Sequence, residues 1–223
     1  MAGPTATATA SGTAASRGDT GQVARLRRAE RYDALVDVAA ALVTEGDVDV
    51  VTMDAVAARA RVSRPLVYKY FANRHELLAA VYRREAAALD AEIVRAVEAA
   101  HGFEEILRTM LRGILAGAAS RGGTFTTLRR AGARDADLRR EQRARDRRTL
   151  RFFTERATEE FDLARRDARA ALAILLSGVD SMVALWHADP TSAHAQALED
   201  LYVQLVLGGL KALAATSAVA PTR

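Results

Sequence analysis

The residues best suited to recognising another molecule are Arg64, Pro65, Tyr68, Lys69 and Tyr70, crowded into one short stretch. An arginine can donate to both acceptors on a guanine edge, a proline ring can lie on a thymine methyl, and lysine and tyrosine suit phosphate oxygens. To present them on one surface, the stretch must be a helix anchored on its other side. Val67 and Phe71, four residues apart, supply that anchor on a helix expected from about Arg64 to Phe71. Pro65 falls in the first turn of this helix, where no intrahelical N–H bond is lost.

The surrounding residues supply two more helix starts and a tight turn. Thr52 is expected to cap one helix, with Met53, Val56 and Ala57 facing inward, and Ser63 to cap the next by accepting backbone N–H bonds. Ala60 to Val62 leaves room only for a turn, and Ala57 is small where the two helices must cross. Asn73, with Glu76 three residues on, forms a capping-box-like start to a third helix whose exposed N–H groups, beside Arg74, would seat a phosphate. Upstream, a helix is expected from about Ala29 to Glu45, with Leu35, Val38, Ala39 and Leu42 on one face and Gly46 at its end. Val48, Val50 and Val51 are then placed to pack beneath the pair of short helices. Arg25, Arg27, Arg28 and Arg31 form a basic arm before that first helix, suited to phosphates or a narrow minor groove.

The run Val62-Ser63, Leu66-Val67-Tyr68-Lys69-Tyr70-Phe71 and Asn73-Arg74-His75-Glu76-Leu77-Leu78 resembles the helix-turn-helix DNA-binding domain of the TetR family of transcriptional regulators. The resemblance covers about 50 residues when the preceding helix is included. It implies an N-terminal DNA-binding domain, a C-terminal helical domain holding a small-molecule pocket, and a homodimer. One position departs from the family pattern, since Arg61 stands in the turn where glycine is common. A non-glycine residue in the left-handed conformation costs roughly 1 kcal/mol or more; an Arg61 side chain that reaches a phosphate would recover some of it.

Composition narrows the remainder. Half of the 223 residues are hydrophobic, and glycine and proline are sparse across the middle of the chain, as in an all-helical protein. There is no cysteine for a disulfide or a thiolate metal site, which agrees with a cytoplasmic location. No apolar run is expected to reach the length of a membrane span. Residues 1–22 read as a disordered leader and 216–223 as a flexible tail. The net charge of +4 favours an anionic partner. Enzymatic chemistry finds little support: the four histidines lack metal-ligand spacing, no phosphate loop or nucleophile elbow is present, and no cofactor is implied. A Ser177, Asp180, His187 set remains as the catalytic alternative.

Beyond Asn73, Leu77, Leu78, Val81, Tyr82, Ala88, Leu89, Ile93 and Val97 mark a long link helix into a second domain, with further helices near 103–120, 123–133, 135–162, 167–187 and 192–215. The last two carry broad apolar stripes, from which Leu175, Val179, Leu198, Leu201, Leu205 and Gly209 are read as a homodimer interface. Met110, Phe125, Phe152, Met182, Trp186 and His187 are read as the effector pocket. The segment 129–151 holds ten arginines and four acids, either a solvated helix, a basic mouth for an anionic effector, or a second DNA contact. The expectation is thus an all-α chain: a helix-turn-helix domain over 23–76 and an effector-binding and dimerisation domain over 77–215. Arg28, Thr52, Ser63, Arg64, Pro65, Tyr68, Lys69, Tyr70 and Arg74 would contact an operator in double-stranded DNA. The alternative is a DNA-binding regulator or architectural protein without a small-molecule effector.

Overall fold

The computed structural model describes residues 15–120 and 123–219, and among them every regular element is a helix. The order is α1 (Ala15–Glu45), a short 3-10 turn (Val48–Val50), α2 (Met53–Arg59), α3 (Arg64–Tyr68), α4 (Arg74–Val97), α5 (Gly102–Ser120), α6 (Thr124–Ala131), α7 (Ala136–Phe161), α8 (Arg165–Leu176), α9 (Val179–Ala188) and α10 (Ser192–Val219). The expectations for residues 1–14 and 220–223 lie outside the described residues. Helix α1 begins at Ala15, well before Ala29, so the basic arm is part of a helix and its arginines do not sit at a helix N-terminus.

Two apolar cores organise the chain. The first gathers Leu35, Val36, Ala39 and Val43 of α1, Val51, Met53, Val56 and Ala57 around α2, Val67 and Phe71 around α3, and Leu77 to Ala86 of α4. It also contains Leu128 of α6 and Leu138 of α7, so this core extends past residue 76 and takes in two helices from the second half. Val51 is buried as expected, whereas Val50 is exposed. The second core is built from α5, α7, α8, α9 and α10, with Phe103 edge-on to both Phe153 and Phe161. Between α5 and α10 the buried Glu199 pairs with Arg108 at 3.2 Å and Arg112 at 2.8 Å, which satisfies a carboxylate that would otherwise be costly there.

Helix α4 belongs to both cores. Its first half is in the N-terminal one, while Ile93 and Val97 pack against the other. At 24 residues it is roughly 36 Å long.

The helix expected over 167–187 is broken between α8 and α9. Tyr202 of α10 donates its hydroxyl to the Leu175 carbonyl at 2.5 Å, and the Gly178 N–H turns to the same carbonyl at 3.0 Å. A side chain inserted into the hydrogen-bond ladder is a recognised cause of such a break. Burial pushes the Tyr202 phenol up, and nearby Asp180 adds to the shift. Residues 165–188 together are long and apolar enough to cross a membrane by length and composition alone, contrary to expectation, although the break at Gly178 interrupts them and Leu172, Met182, Val183 and Trp186 lie in the second core.

Candidate DNA-contacting face and ligand cavity

The α2–turn–α3 unit is closed by backbone hydrogen bonds. Thr52 caps α2 by accepting from the Ala55 N–H at 3.0 Å. At its other end the Val62 N–H donates to Ala57 at 3.0 Å and the Arg61 N–H to Ala58 at 3.2 Å, the paired bonds of a Schellman ending. Arg61 occupies the left-handed position with φ 54°, as the departure from glycine implied. Ser63 has the extended backbone of an N-cap, but its hydroxyl makes no capping bond, which corrects the role expected of it. Its side chain is exposed at the start of α3.

Val67 and Phe71 are fully buried, and Phe71 meets Tyr32 of α1 at 4.9 Å between ring centroids. This pins α3 and leaves Arg64, Pro65, Tyr68 and Lys69 exposed, with Tyr70 half-buried. Helix α3 ends at Tyr68, three residues short of expectation, yet the Tyr70 and Phe71 N–H groups still reach the Val67 carbonyl. The Arg64 guanidinium is not idle: its Nε is 3.1 Å from Asp54 and an Nη 3.4 Å from the Tyr68 hydroxyl, while the group lies 5.5 Å from the Tyr68 ring. That pairing must open for Arg64 to take both acceptors of a guanine. Arg28 of α1 lies 5.9 Å over the Tyr70 ring, which brings this basic stretch of α1 beside the end of α3.

Arg74 departs from its expected role. Its Nε donates to the Val51 carbonyl at 2.7 Å and its terminal nitrogen to the Val48 carbonyl, with Asp49 at 3.5 Å. The guanidinium thus satisfies carbonyls at the end of the 3-10 turn and points into the domain. The α4 start itself is capped as expected, Asn73 accepting from the Glu76 N–H at 2.9 Å, and the Glu76 carboxylate accepts from the Ala72 N–H at 2.7 Å.

In the second half, a cavity of about 530 Å3 opens between α5, α6, α7, α8 and α9. Of the residues expected to line it, Met110 and Phe125 do. Phe152 lines a neighbouring hollow of about 620 Å3, which shares Met110, Arg145 and Thr149 with the first. Met182 and Trp186 are core, and His187 is exposed beside Trp186 at the end of α9. The lining instead comes from Ile114, Ala118, Leu150, Leu176, Val179 and Val183, with Arg129, Arg143, Arg145, Asp146, Arg147 and Asp180 as its charged part. These arginines lie in the 129–151 segment, for which a basic mouth for an anionic effector is one of the three readings from sequence, although none of them is named there as a pocket residue; the missed aliphatics look like any core stripe.

Arg129 is the electrostatic hub of this cavity. It binds Asp180 of α9 through Nε at 2.8 Å and Asp146 of α7 through an Nη at 2.8 Å, joining three helices. Burial works against its charge, but the two carboxylates outweigh this and hold it protonated more firmly than a free arginine. Arg145 pairs with Asp90 of α4 at 2.6 Å and lies 5.3 Å over the Phe125 ring. Phe125 in turn stacks on Tyr82 at 5.4 Å; the Tyr82 hydroxyl is buried with no hydrogen-bond partner among the described residues, and burial raises its pKa.

The expected interface residues divide. Leu201 and Leu205 are exposed at 55% and 58%, with Ile174 of α8 and Leu185 of α9 also exposed. Leu198 is buried within its own chain, Val179 lines the cavity, and Leu175 lies 3.7 Å from where a Cβ at Gly209 would stand, so these four serve intrachain packing. Gly208, not Gly209, has open space beside it. The Ser177, Asp180, His187 set is not assembled: Ser177 donates to the Ile174 carbonyl at 2.6 Å, Asp180 holds Arg129, and His187 faces solvent.

Residues 35–81 match the family model of bacterial regulatory proteins, tetR family. Among solved structures, the fold is similar to the fatty acid degradation regulator FadR from Bacillus halodurans, with a TM-score of 0.62 at 22% identity over 81% of this chain and 96% of that one. It is also similar to the transcriptional regulator FadR from Bacillus subtilis in complex with stearoyl-CoA, with a TM-score of 0.63 at 17% identity over 80% and 98%. A TetR-family transcriptional regulator from Streptomyces coelicolor gives 0.60 at 22% over 81% and 99%. No curated protein sequence matches. Residues 35–81, which contain the helix-turn-helix unit, thus form a domain of the tetR family of bacterial regulatory proteins, and the all-helical fold is similar to that of regulators over most of the chain.

Proposed function

We propose that the chain is a ligand-responsive, homodimeric transcriptional repressor that binds a near-palindromic operator in the cytoplasm. The observation that carries this reading is the exposed face of α3, on which Arg64, Pro65, Tyr68 and Lys69 stand clear of a backbone fixed by the buried Val67 and Phe71. Arg64 and Pro65 would read base edges, while Lys69, Tyr70 and Arg28 would hold phosphates. The apolar surface of Ile174, Leu185, Leu201 and Leu205 supports pairing of α8, α9 and α10 with the same helices of a second copy as a helical bundle. Two-fold symmetry would set two α3 helices about 34–36 Å apart, one turn of DNA.

Control would run through α4, which shares side chains with both cores. A ligand in the cavity that prefers a tilted α4 would change the spacing of the two α3 helices, and a differential affinity of about 1–3 kcal/mol would alter occupancy about 5- to 150-fold. The contact of α6 with both regions supports a second route. Phe125 and Arg129 line the cavity, Leu128 lies in the N-terminal core, and Thr124 hydrogen-bonds Thr44 of α1. The stearoyl-CoA complex of a structurally similar regulator supports a ligand-responsive role for this fold. Selection of duplexes from a random pool by the purified protein, at near-physiological salt, tests the reading. A two-fold symmetric motif is expected; binding without a motif that vanishes as salt rises would favour an architectural role.

A further inference from the structure

We infer that the cavity between α5 and α9 takes an anionic amphiphile, its carboxylate or phosphate head held by Arg143 and Arg147 and its apolar body lying against Ile114, Leu150 and Val183. The inference rests on the cavity being the effector site and names the chemistry of that effector.

The cavity wall is segregated. Helices α5, α8 and α9 contribute mainly aliphatic side chains, while α7 contributes Arg143, Arg145, Asp146 and Arg147. The cations are not equivalent. Arg129 is held by Asp146 and Asp180, and Arg145 by Asp90. Arg143 and Arg147 have no carboxylate partner among the described residues, and both are exposed where they border the cavity. The Arg129 cluster carries one net negative charge, one cation against two carboxylates, whereas Arg143 and Arg147 carry two positive charges, which leaves a positive surplus.

Their spacing is the second argument. Residues four apart on a helix stand one turn from each other, with Cβ atoms about 5–6 Å apart, so two guanidinium groups can close on a single anion. Guanidinium donors match carboxylate and phosphate oxygens in planar, paired hydrogen bonds, which are charge-assisted and stronger than neutral ones. A volume of about 530 Å3 lies within the range usual for small-molecule sites. A neutral apolar ligand would gain only the aliphatic wall, and a cationic one would be repelled by the same two arginines. The segment 129–151 thereby divides by role: Arg129, Arg139 and Arg145 are tied into the fold through Asp180, the Gly132 carbonyl and Asp90, and Arg143 and Arg147 are left for a ligand.

Isothermal titration of the full chain, below the micelle concentration of each probe, compares dodecanoate, dodecyl phosphate, dodecanol and dodecyltrimethylammonium. Dodecanoate or dodecyl phosphate is expected to bind at least tenfold more tightly than dodecanol, and the better of the two identifies the head group. The double variant Arg143→Gln, Arg147→Gln should lose that preference while dodecanol affinity stays within about twofold, and Ile114→Phe should weaken all bound probes about tenfold by filling the apolar end. Equal affinities, a preference that survives the double variant, or binding indifferent to Ile114→Phe would each overturn the inference, as would the absence of binding by every probe. Neither arginine is on the α3 face, so the double variant without any probe should select the same DNA motif as the unaltered chain. Loss of ligand preference with the motif retained supports the inference; no motif from the unaltered chain rejects the regulator reading independently of it.

Discussion

The two cores of this molecule finish their surfaces differently. Around α1 to α4 the large aliphatics left exposed, Leu26, Val50 and Val94, lie on separate elements, and the outer face of α3 is mainly cationic and aromatic. Around α8 to α10 the core is equally closed on its inner side, yet Ile174, Leu185, Leu201 and Leu205 remain on the outside. A surface that keeps large aliphatics in water suits an apolar partner, whereas a surface of arginine, lysine and tyrosine suits a polyanion.

The contrast is broken most severely from inside the N-terminal core. Phe71→Ala should cost about 3–5 kcal/mol in chemical denaturation, because it removes the anchor of α3 and its contact with Tyr32. A smaller loss would mean that α3 is held mainly by its turn. Outside the C-terminal core, Leu201→Glu with Leu205→Glu should leave the fold intact but weaken self-association by about 2 kcal/mol or more, read by sedimentation across a dilution series. If the variant assembles like the parent, the exposed stripe is not the interface.

Finer effects separate residues on the DNA face. Arg64→Ala should cost about 1–3 kcal/mol at a matched site and relax base preference, while Lys69→Ala should weaken all sequences alike and flatten the salt dependence. The same loss from both on matched and scrambled duplexes would contradict these roles. Arg61→Gly should raise stability by about 1 kcal/mol, since φ 54° is easier for glycine. Unchanged operator affinity over several salt concentrations would show that Arg61 does not reach a phosphate.

The smallest effect belongs to the joint between the halves. Asp135, at the start of α7, accepts from the Asp137 and Leu138 N–H groups at 3.0 and 3.1 Å and pairs with His75 of α4 at 2.7 Å. Burial opposes ionisation there, but those bonds outweigh it and hold the carboxyl below its usual pKa. A depressed pKa stabilises the fold above the unfolded value near 3.9 and loses that contribution as pH falls through the folded value. Asp135→Asn should therefore cost on the order of 1 kcal/mol in denaturation at pH 7 and progressively less on acidification below about pH 4.

The DNA-binding unit was legible because its signals are local. A cap at Thr52, a turn too short for anything else, and Val67 with Phe71 at helical spacing can all be read within one stretch. Arg74 misled because an arginine beside a helix start looks like a phosphate seat, and the carbonyls of Val48 and Val51 that accept from it lie more than twenty residues back. The break between α8 and α9 is set by Tyr202, equally remote in sequence. Periodicity also cannot divide one apolar stripe between its own chain and a partner, so Leu198 and Leu201 looked alike although only the second is exposed. The cavity was hardest of all, because a void is defined by what neighbouring helices fail to fill.

The chain has a single tryptophan, Trp186, buried on α9 one turn beyond the cavity-lining Val183. Tyr32, Tyr68, Tyr70 and Tyr82 all lie in the first half. The protein therefore contains its own optical probe of the cavity-bearing half: indole emission reports on that region alone, and tyrosine emission chiefly on the helix-turn-helix one. Indole emission excited at the red edge of its absorption, set against the tyrosine emission band, should show whether the halves melt together or one after the other, without any label being attached.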